Sequence, residues 1–176
     1  MRSLRLLLAA VLMGALLASL LPGVPAHAGI RVEHHARATF LLPPKDGQHP
    51  AIYVDVTDMD AGGYKDFSIS RGFCASKDLD SCVITRPGGL FGRLHPTDGF
   101  EIEPDLSTAQ FEVTRRGTTH RISWTATSQA APVFGAGCEP FMPWAGAQRD
   151  ATATGHIFGR KLKSSAGFLE FLAFTC

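Results

Sequence analysis

Apolar and polar residues alternate along most of the chain after residue 29. From Ile30 to Leu42 the even positions are mostly apolar, whereas the odd positions from Arg31 to Thr39 are polar or charged. Successive side chains of a strand point to opposite faces, so this period of two predicts a half-buried strand. The same alternation, or a short apolar run bounded by turn residues, predicts further strands at Ile52–Val56, Phe67–Phe73, Cys82–Thr85, Leu90–His95, Phe100–Glu103, Phe111–Val113, Thr119–Ala126, Ala151–Arg160 and Gly167–Cys176.

These short strands predict an all-β fold. About nine of them follow one another, with turn residues between most of them, and no window after residue 29 has an apolar stripe of helical period. We therefore expect a single-domain antiparallel β-sandwich, or a barrel-like variant of it. Phe168–Phe174 is apolar on nearly both faces, which predicts a central strand or one covered by a loop. Pro96-Thr97-Asp98-Gly99 predicts a hairpin between Leu90–His95 and Phe100–Glu103.

Residues 1–28 have the pattern of a secretory signal peptide. Arg2 and Arg5 precede the uncharged apolar run Leu6–Leu21, and Ala26-His27-Ala28 matches a small-residue cleavage site. Residues 29–176 then form one domain of ordinary size. We expect a secreted, extracellular protein (periplasmic in a Gram-negative cell) with no membrane anchor after cleavage.

The charge balance excludes some partners. Removing Arg2 and Arg5 from the 17 basic residues leaves 15 against 16 acidic ones, a net charge of −1. A nucleic-acid binder needs an excess of positive charge, so we expect no nucleic-acid partner. Arginine outnumbers lysine by 12 to 5, a usage typical of GC-rich bacterial genomes.

Four cysteines in an exported chain predict two disulfides. We favour Cys74–Cys82, which would bracket a polar turn, together with Cys138–Cys176, which would hold the last residue in place. The other two pairings remain open. The spacings contain no C-x2-C pair, so a zinc site is disfavoured.

Residues 128–150 interrupt the strand pattern with three prolines and three glycines. Long loops inside a compact domain are often functional. Four large apolar residues there, Phe134, Phe141, Met142 and Trp144, are candidates for a ligand or partner surface. The alternative is that they cover one end of the sandwich as a lid.

Other chemistry is weakly indicated. Asp55, Asp58, Asp60 and Asp66 lie around Gly62-Gly63, but they lack the EF-hand pattern, and a solvated turn is the simpler interpretation. His34 and His120 fall on apolar faces, where a hydrogen-bonded histidine of the core or its rim is expected. No G-x-S-x-G or H-E-x-x-H motif is present, and no cofactor or metal is indicated.

The sequence therefore favours binding over catalysis. The expected ligand is an extracellular protein, a glycan or a small apolar molecule. Two alternatives remain: a small secreted hydrolase that uses histidine and carboxylate groups, and a protease inhibitor that presents the 75–81 loop between Cys74 and Cys82. A cleft that gathers histidine and carboxylates from distant strands would favour the hydrolase.

Overall fold

The computed structural model describes residues 30–59, 64–136 and 143–175. They form one antiparallel sheet of 11 strands in the order β4-β3-β2-β1-β11-β9-β7-β6-β5, with β8 and β10 also paired to β9. In this part of the chain no helix is long and apolar enough to span a bilayer. The strands are β1 (Ile30–Leu41), β2 (His49–Met59), β3 (Tyr64–Cys74), β4 (Cys82–Arg93), β5 (Gly99–Ile102), β6 (Thr108–Arg115), β7 (Thr118–Ala126), β8 (Ala131–Ala136), β9 (Pro143–Ile157), β10 (Arg160–Lys163) and β11 (Ala166–Thr175).

The predicted all-β fold is confirmed, but the described strands make one open sheet, so neither the sandwich nor the barrel is confirmed. The alternation in β1 does separate the two faces. Ala36, Ala38 and Phe40 are buried, whereas Arg37 and Thr39 are half-buried. The apolar strand β11 lies between β1 and β9, as its two apolar faces predict.

The sheet folds back on itself around the core. Phe67 of β3 and Phe111 of β6 are in contact, with ring centroids 5.6 Å apart. Their strands are six places apart in the sheet order, which would separate them by about 29 Å if the sheet were flat. The concave face therefore encloses the hydrophobic core. Its largest side chains are less than 2% exposed and include Trp124, Phe40, Ile69, Ile122, Ile157 and Leu169.

Side chains hold the two edges of this curled sheet together. Arg115 of β6 donates to both carboxylate oxygens of Asp98, at 3.0 and 2.7 Å, and to the carbonyl of Arg93 in β4 at 3.1 Å. A second contact joins the same two sides of the sheet: Lys65 Nζ of β3 donates to the carbonyl of Phe100 in β5 at 2.9 Å. We call these contacts the edge clamp.

The hairpin predicted around Pro96-Thr97-Asp98-Gly99 is wrong. The turn does form, with the His95 amide donating to Asp98 Oδ2 at 2.7 Å, but β5 pairs with β6 and not with β4. Two-residue hairpins favour turns with positive φ at both central residues, and proline cannot adopt a positive φ. This turn instead carries the chain from one edge of the sheet to the other.

The strand boundaries also need correction. Cys82–Thr85 and the first part of Leu90–His95 belong to one strand, β4, which has a bulge opposite Ile69–Arg71 and ends at Arg93. The predicted loop at 128–150 contains β8 and the start of β9. The strand predicted at Ala151–Arg160 ends earlier, at Ile157, because the chain reverses at Phe158-Gly159 and β10 follows.

The Cys74–Cys82 disulfide is confirmed, and it joins directly opposed residues of β3 and β4. It is the one disulfide within the described residues. Cys138 and Cys176 lie outside them, so their pairing stays a prediction, and the same holds for the signal peptide at 1–28.

Candidate functional site

A groove opens where the concave face reaches solvent at one end of β2 and β3. Its cavity volume is about 520 Å³, within the range typical of small-molecule sites. It is lined by the β1–β2 turn, by Pro50–Ile52 of β2, by Arg71–Phe73 of β3, and by Phe158 and Arg160 beside the β9–β10 turn. We call it the mouth groove.

The mouth groove can be compared with a second depression in the protein surface. This second depression, of about 360 Å³, lies over β5–β7 and has a polar lining that includes Glu101, Glu112 and Arg121. Two of those groups, Glu112 and Arg121, already form an ion pair with each other. The mouth groove is thus the better candidate for a ligand site.

The floor of the mouth groove is apolar because it continues the core. Ile52 pairs with Arg71 and Pro50 pairs with Phe73 across β2 and β3, so these four side chains share the concave face. Ile52 is buried in the core, and Leu42 packs against the core from the end of β1. Phe73, at the rim, is 45% exposed, a large exposure for a phenylalanine beside a core.

One wall of the groove is a strained turn. Phe158 and Gly159 have φ values of +49° and +74°, the left-handed conformations of a tight hairpin turn. Glycine adopts this conformation freely, but for a bulky aromatic residue it is unusual and costs about 1–2 kcal/mol. The Phe158 ring compensates through its contacts: it meets the His120 ring edge-on at 5.1 Å, and the Arg71 guanidinium carbon lies 4.2 Å from its centroid.

His120 supports this turn from below. It is 1% exposed, and its Nδ1 accepts the backbone N–H of Phe158 at 3.2 Å. An Nδ1 that accepts carries no proton, so the ring is neutral in this arrangement. Burial lowers the pKa of His120, which favours the same neutral state. The prediction that His120 is a hydrogen-bonded core histidine is confirmed.

Three cations surround the groove: Lys45 from the β1–β2 turn, Arg71 from β3 and Arg160 from β10. Within the described residues none of them forms an ion pair, and the groove lining contains no aspartate or glutamate. Elsewhere basic groups do pair with acids, as Lys65 does with Asp58 at 2.8 Å. No acidic side chain of the described residues therefore pairs with the positive charges at the groove.

A second cluster of functional groups lies on the opposite face of the sheet. His35, which sequence reasoning placed on a polar face, is only 7% exposed there. Its Nδ1 is 3.1 Å from Thr57 Oγ1, and its Nε2 is 3.3 Å from Glu33 Oε2. Arg37 Nε lies 2.9 Å from Asp55 Oδ2 beside this cluster. Burial opposes ionisation of Asp55, but the nearby His35 ring and the charge of Arg37 outweigh it, so the pKa of Asp55 is lowered.

A hydroxyl, an imidazole and a carboxylate in a row are the parts of a nucleophilic triad. Thr57, however, lies within β2, between β1 and β3, where the strand ladders use the backbone N–H groups that an oxyanion hole would need. The nearby outer cavity of about 310 Å³ is lined by Asp55 but by neither His35 nor Thr57. The arrangement favours a stabilising polar network over a hydrolase site.

The structure does not test the aromatic site predicted at residues 134–144. The backbones of Phe134 and Trp144 lie in the paired strands β8 and β9, but their side chains lie outside the part that the structure describes. Phe141 and Met142 lie outside the described residues. The candidate site that does emerge, the mouth groove, was missed because its residues come from three separate segments with no common spacing.

The aspartates considered for calcium do not converge. Asp55 faces Arg37 and Asp58 pairs with Lys65, while Asp60 lies outside the described residues. Within the part that the structure describes, no group of three or more potential ligands could hold a metal ion.

The 75–81 loop, considered as an inhibitor loop, folds back on itself. Leu79–Ser81 forms a turn of 3₁₀ helix, and Ser81 Oγ bonds the carbonyl of Asp78 and the amide of Ser76. A loop whose polar groups are satisfied internally presents no extended backbone to a protease.

Comparison with known proteins identifies no family. No family model matches the chain, and no curated protein matches it. Among solved structures, a candidate AttH protein from Nitrosomonas europaea aligns over 89% of this chain and 58% of its own, with 10% identity and a TM-score of 0.42. The chain thus spans little more than half the length of that protein. A likeness this weak defines neither a family nor a function.

Proposed function

We propose that this protein is an exported binding protein whose ligand occupies the mouth groove. The observation that carries the proposal is a cavity of about 520 Å³ whose apolar floor is continuous with the core. Clefts of this size with an apolar lining and a few polar groups are the usual form of small-molecule sites. The signal peptide expected at residues 1–28 supports export.

The Phe158 turn gives independent support. A bulky residue held in a left-handed conformation persists only when its surroundings determine it, and such strain is common where proteins hold ligands. Here the strained residue places its ring in the groove wall. The exposed Phe73 at the rim supports the same conclusion, because a ligand would remove its apolar surface from water.

Binding of the neutral fluorescent probe N-phenyl-1-naphthylamine tests the site. We expect enhanced probe fluorescence with the wild-type protein, and affinity lowered about fivefold by Phe73→Ser, since part of one apolar contact is lost. Phe91→Ser is the matched control: Phe91 is 83% exposed on β4 and does not line the groove. Melting curves establish that both variants are folded.

Two results would reject the proposal. One is the absence of probe binding to the folded wild-type protein. The other is an equal loss of affinity in Phe73→Ser and Phe91→Ser, since this would place the probe on exposed apolar surface in general.

A further inference from the structure

The combination of charge and apolar surface in the mouth groove specifies a class of ligand. A neutral apolar ligand would leave Lys45, Arg71 and Arg160 without partners, and a small inorganic anion would leave the apolar floor of the groove exposed to water. An anion that carries an apolar body satisfies both parts of the groove at once. The positive charge of the groove also contrasts with the net charge of residues 29–176, which is −1 from 15 basic and 16 acidic residues.

Arg71 is the best placed of the three cations. Its guanidinium stacks on the Phe158 ring with its carbon 4.2 Å from the centroid. Stacking uses the face of the guanidinium and leaves its N–H groups at the edges free to donate. Within the described residues these N–H groups have no acceptor. An arginine fixed in this way is pre-organised to bind a carboxylate or phosphate with two parallel hydrogen bonds.

We infer that the mouth groove binds a small amphiphilic anion, and this inference rests on the proposed function of the groove. A carboxylate or a phosphate or sulfate monoester would lie between Arg71 and Arg160, with Lys45 adding charge from the β1–β2 turn. The apolar body would lie on Ile52, Leu42 and Phe73. The volume of about 520 Å³ accommodates a ligand of small-molecule size.

Calorimetric titration with a series of ten-carbon ligands, all below their micelle concentrations, tests the ligand class. The series is decanoate, decyl phosphate, decanol and decyltrimethylammonium, with inorganic phosphate as the head group alone. We expect decanoate and decyl phosphate to bind about tenfold or more tightly than decanol, as charge-assisted hydrogen bonds imply. The ammonium ligand and inorganic phosphate should bind weakly, and salt at about 0.5 M should weaken the anions selectively.

Variants assign the head-group contact. Arg71→Gln should weaken decanoate binding about tenfold and decanol binding less than about twofold, since only the charged contact is lost. Arg160→Gln should act in the same direction, and it leaves the stacking on Phe158 in place. Arg116→Gln is the control, because Arg116 lies in the β6–β7 turn and does not line the groove.

The outcomes separate the two proposals. If decanol and the naphthylamine probe bind as tightly as the anions, the groove is a binding site but the ligand class is wrong. If the anions bind and both Arg71→Gln and Arg160→Gln behave like Arg116→Gln, the head group lies elsewhere and the inference is overturned. If neither the probe nor any ligand binds to the folded protein, the proposed function fails together with the inference. Tighter binding of decyl phosphate than of decanoate would identify a phosphate monoester as the preferred head group.

Discussion

Replacing Arg115 by methionine should loosen the contact between the two edges of the sheet. Arg115 belongs to β6, yet it donates to both carboxylate oxygens of Asp98, to the Arg93 carbonyl of β4, and lies over the Phe67 ring of β3 at 5.1 Å. Methionine keeps much of the side-chain volume and removes every one of the donors. The variant therefore tests the polar part of the edge clamp.

The magnitude follows from burial. The Asp98 side chain is 4% exposed and that of Arg115 is 21% exposed, so the pair is largely shielded from water. Removing one partner of a fully buried pair costs about 3–5 kcal/mol. Because Arg115 keeps some contact with solvent, we expect a loss of about 3 kcal/mol from Arg115→Met and a coupling energy of about 2 kcal/mol in the cycle with Asp98→Asn.

The assay is urea unfolding of the wild type, both single variants and the double variant. Arg121–Glu112 is the matched control, because it also joins an arginine to a carboxylate but is 67% and 47% exposed. Its cycle with Arg121→Met and Glu112→Gln should give about 0.2–1 kcal/mol. A coupling energy for Arg115 and Asp98 no larger than that of the control pair would refute the reasoning and leave the Lys65 hydrogen bond and aromatic packing to hold the edges together.

Three further results are expected. Trp124→Phe should lower the free energy of unfolding by about 2 kcal/mol, because the buried indole N–H no longer donates to the Arg37 carbonyl, a bond of 2.9 Å; an unchanged urea midpoint would count against this bond. Burial lowers the pKa of His120, so the stability that this residue contributes is present above its unfolded pKa of about 6.5 and is lost as the pH falls from there through the folded value. The variant His120→Gln should flatten this part of the pH–stability curve, and a curve of unchanged shape would contradict the argument. Replacing both Cys74 and Cys82 by serine should cost about 2–3 kcal/mol, as expected for closing a loop over a sequence separation of 8, and equal stability of the wild type and the double variant would show that the bridge contributes nothing.

The alternation of apolar and polar residues predicted the strands because most of them bury one face. This holds for β1 and β2, and for the β6–β7 hairpin, whose buried residues repeat every second position. The central position of β11 also followed from its sequence, since a strand with two apolar faces needs cover on both. These properties are local, and the sequence records them directly.

The order of the strands could not be predicted in the same way. The pairing of β5 with β6 depends on the sheet folding back, which brings together residues such as Phe67 and Phe111 that no short-range pattern connects. The Phe158-Gly159 turn was missed for a different reason. Phenylalanine is rarely found at positive φ, although the glycine after it was a signal shared with Asp46-Gly47 and Arg116-Gly117.

The mouth groove shows the same limit for function. Lys45, Arg71 and Arg160 are ordinary surface cations in the sequence, and only the fold places them around one apolar floor. The burial of His35 was also hard to predict, because it lies on a polar face of its strand. It can be buried there because Thr57 and Glu33 lie within hydrogen-bonding distance of its two ring nitrogens.

Backbone amide NMR of the labelled protein titrated with decanoate tests the central claim most directly. Binding in the mouth groove should produce the largest shift changes at the amides of Phe73, Gly159 and Arg160, with little change at Val133 and Leu172, which lie beside the other end of β9. The opposite distribution, or saturable binding that leaves the amides around the groove unchanged, would contradict the assignment of the ligand site.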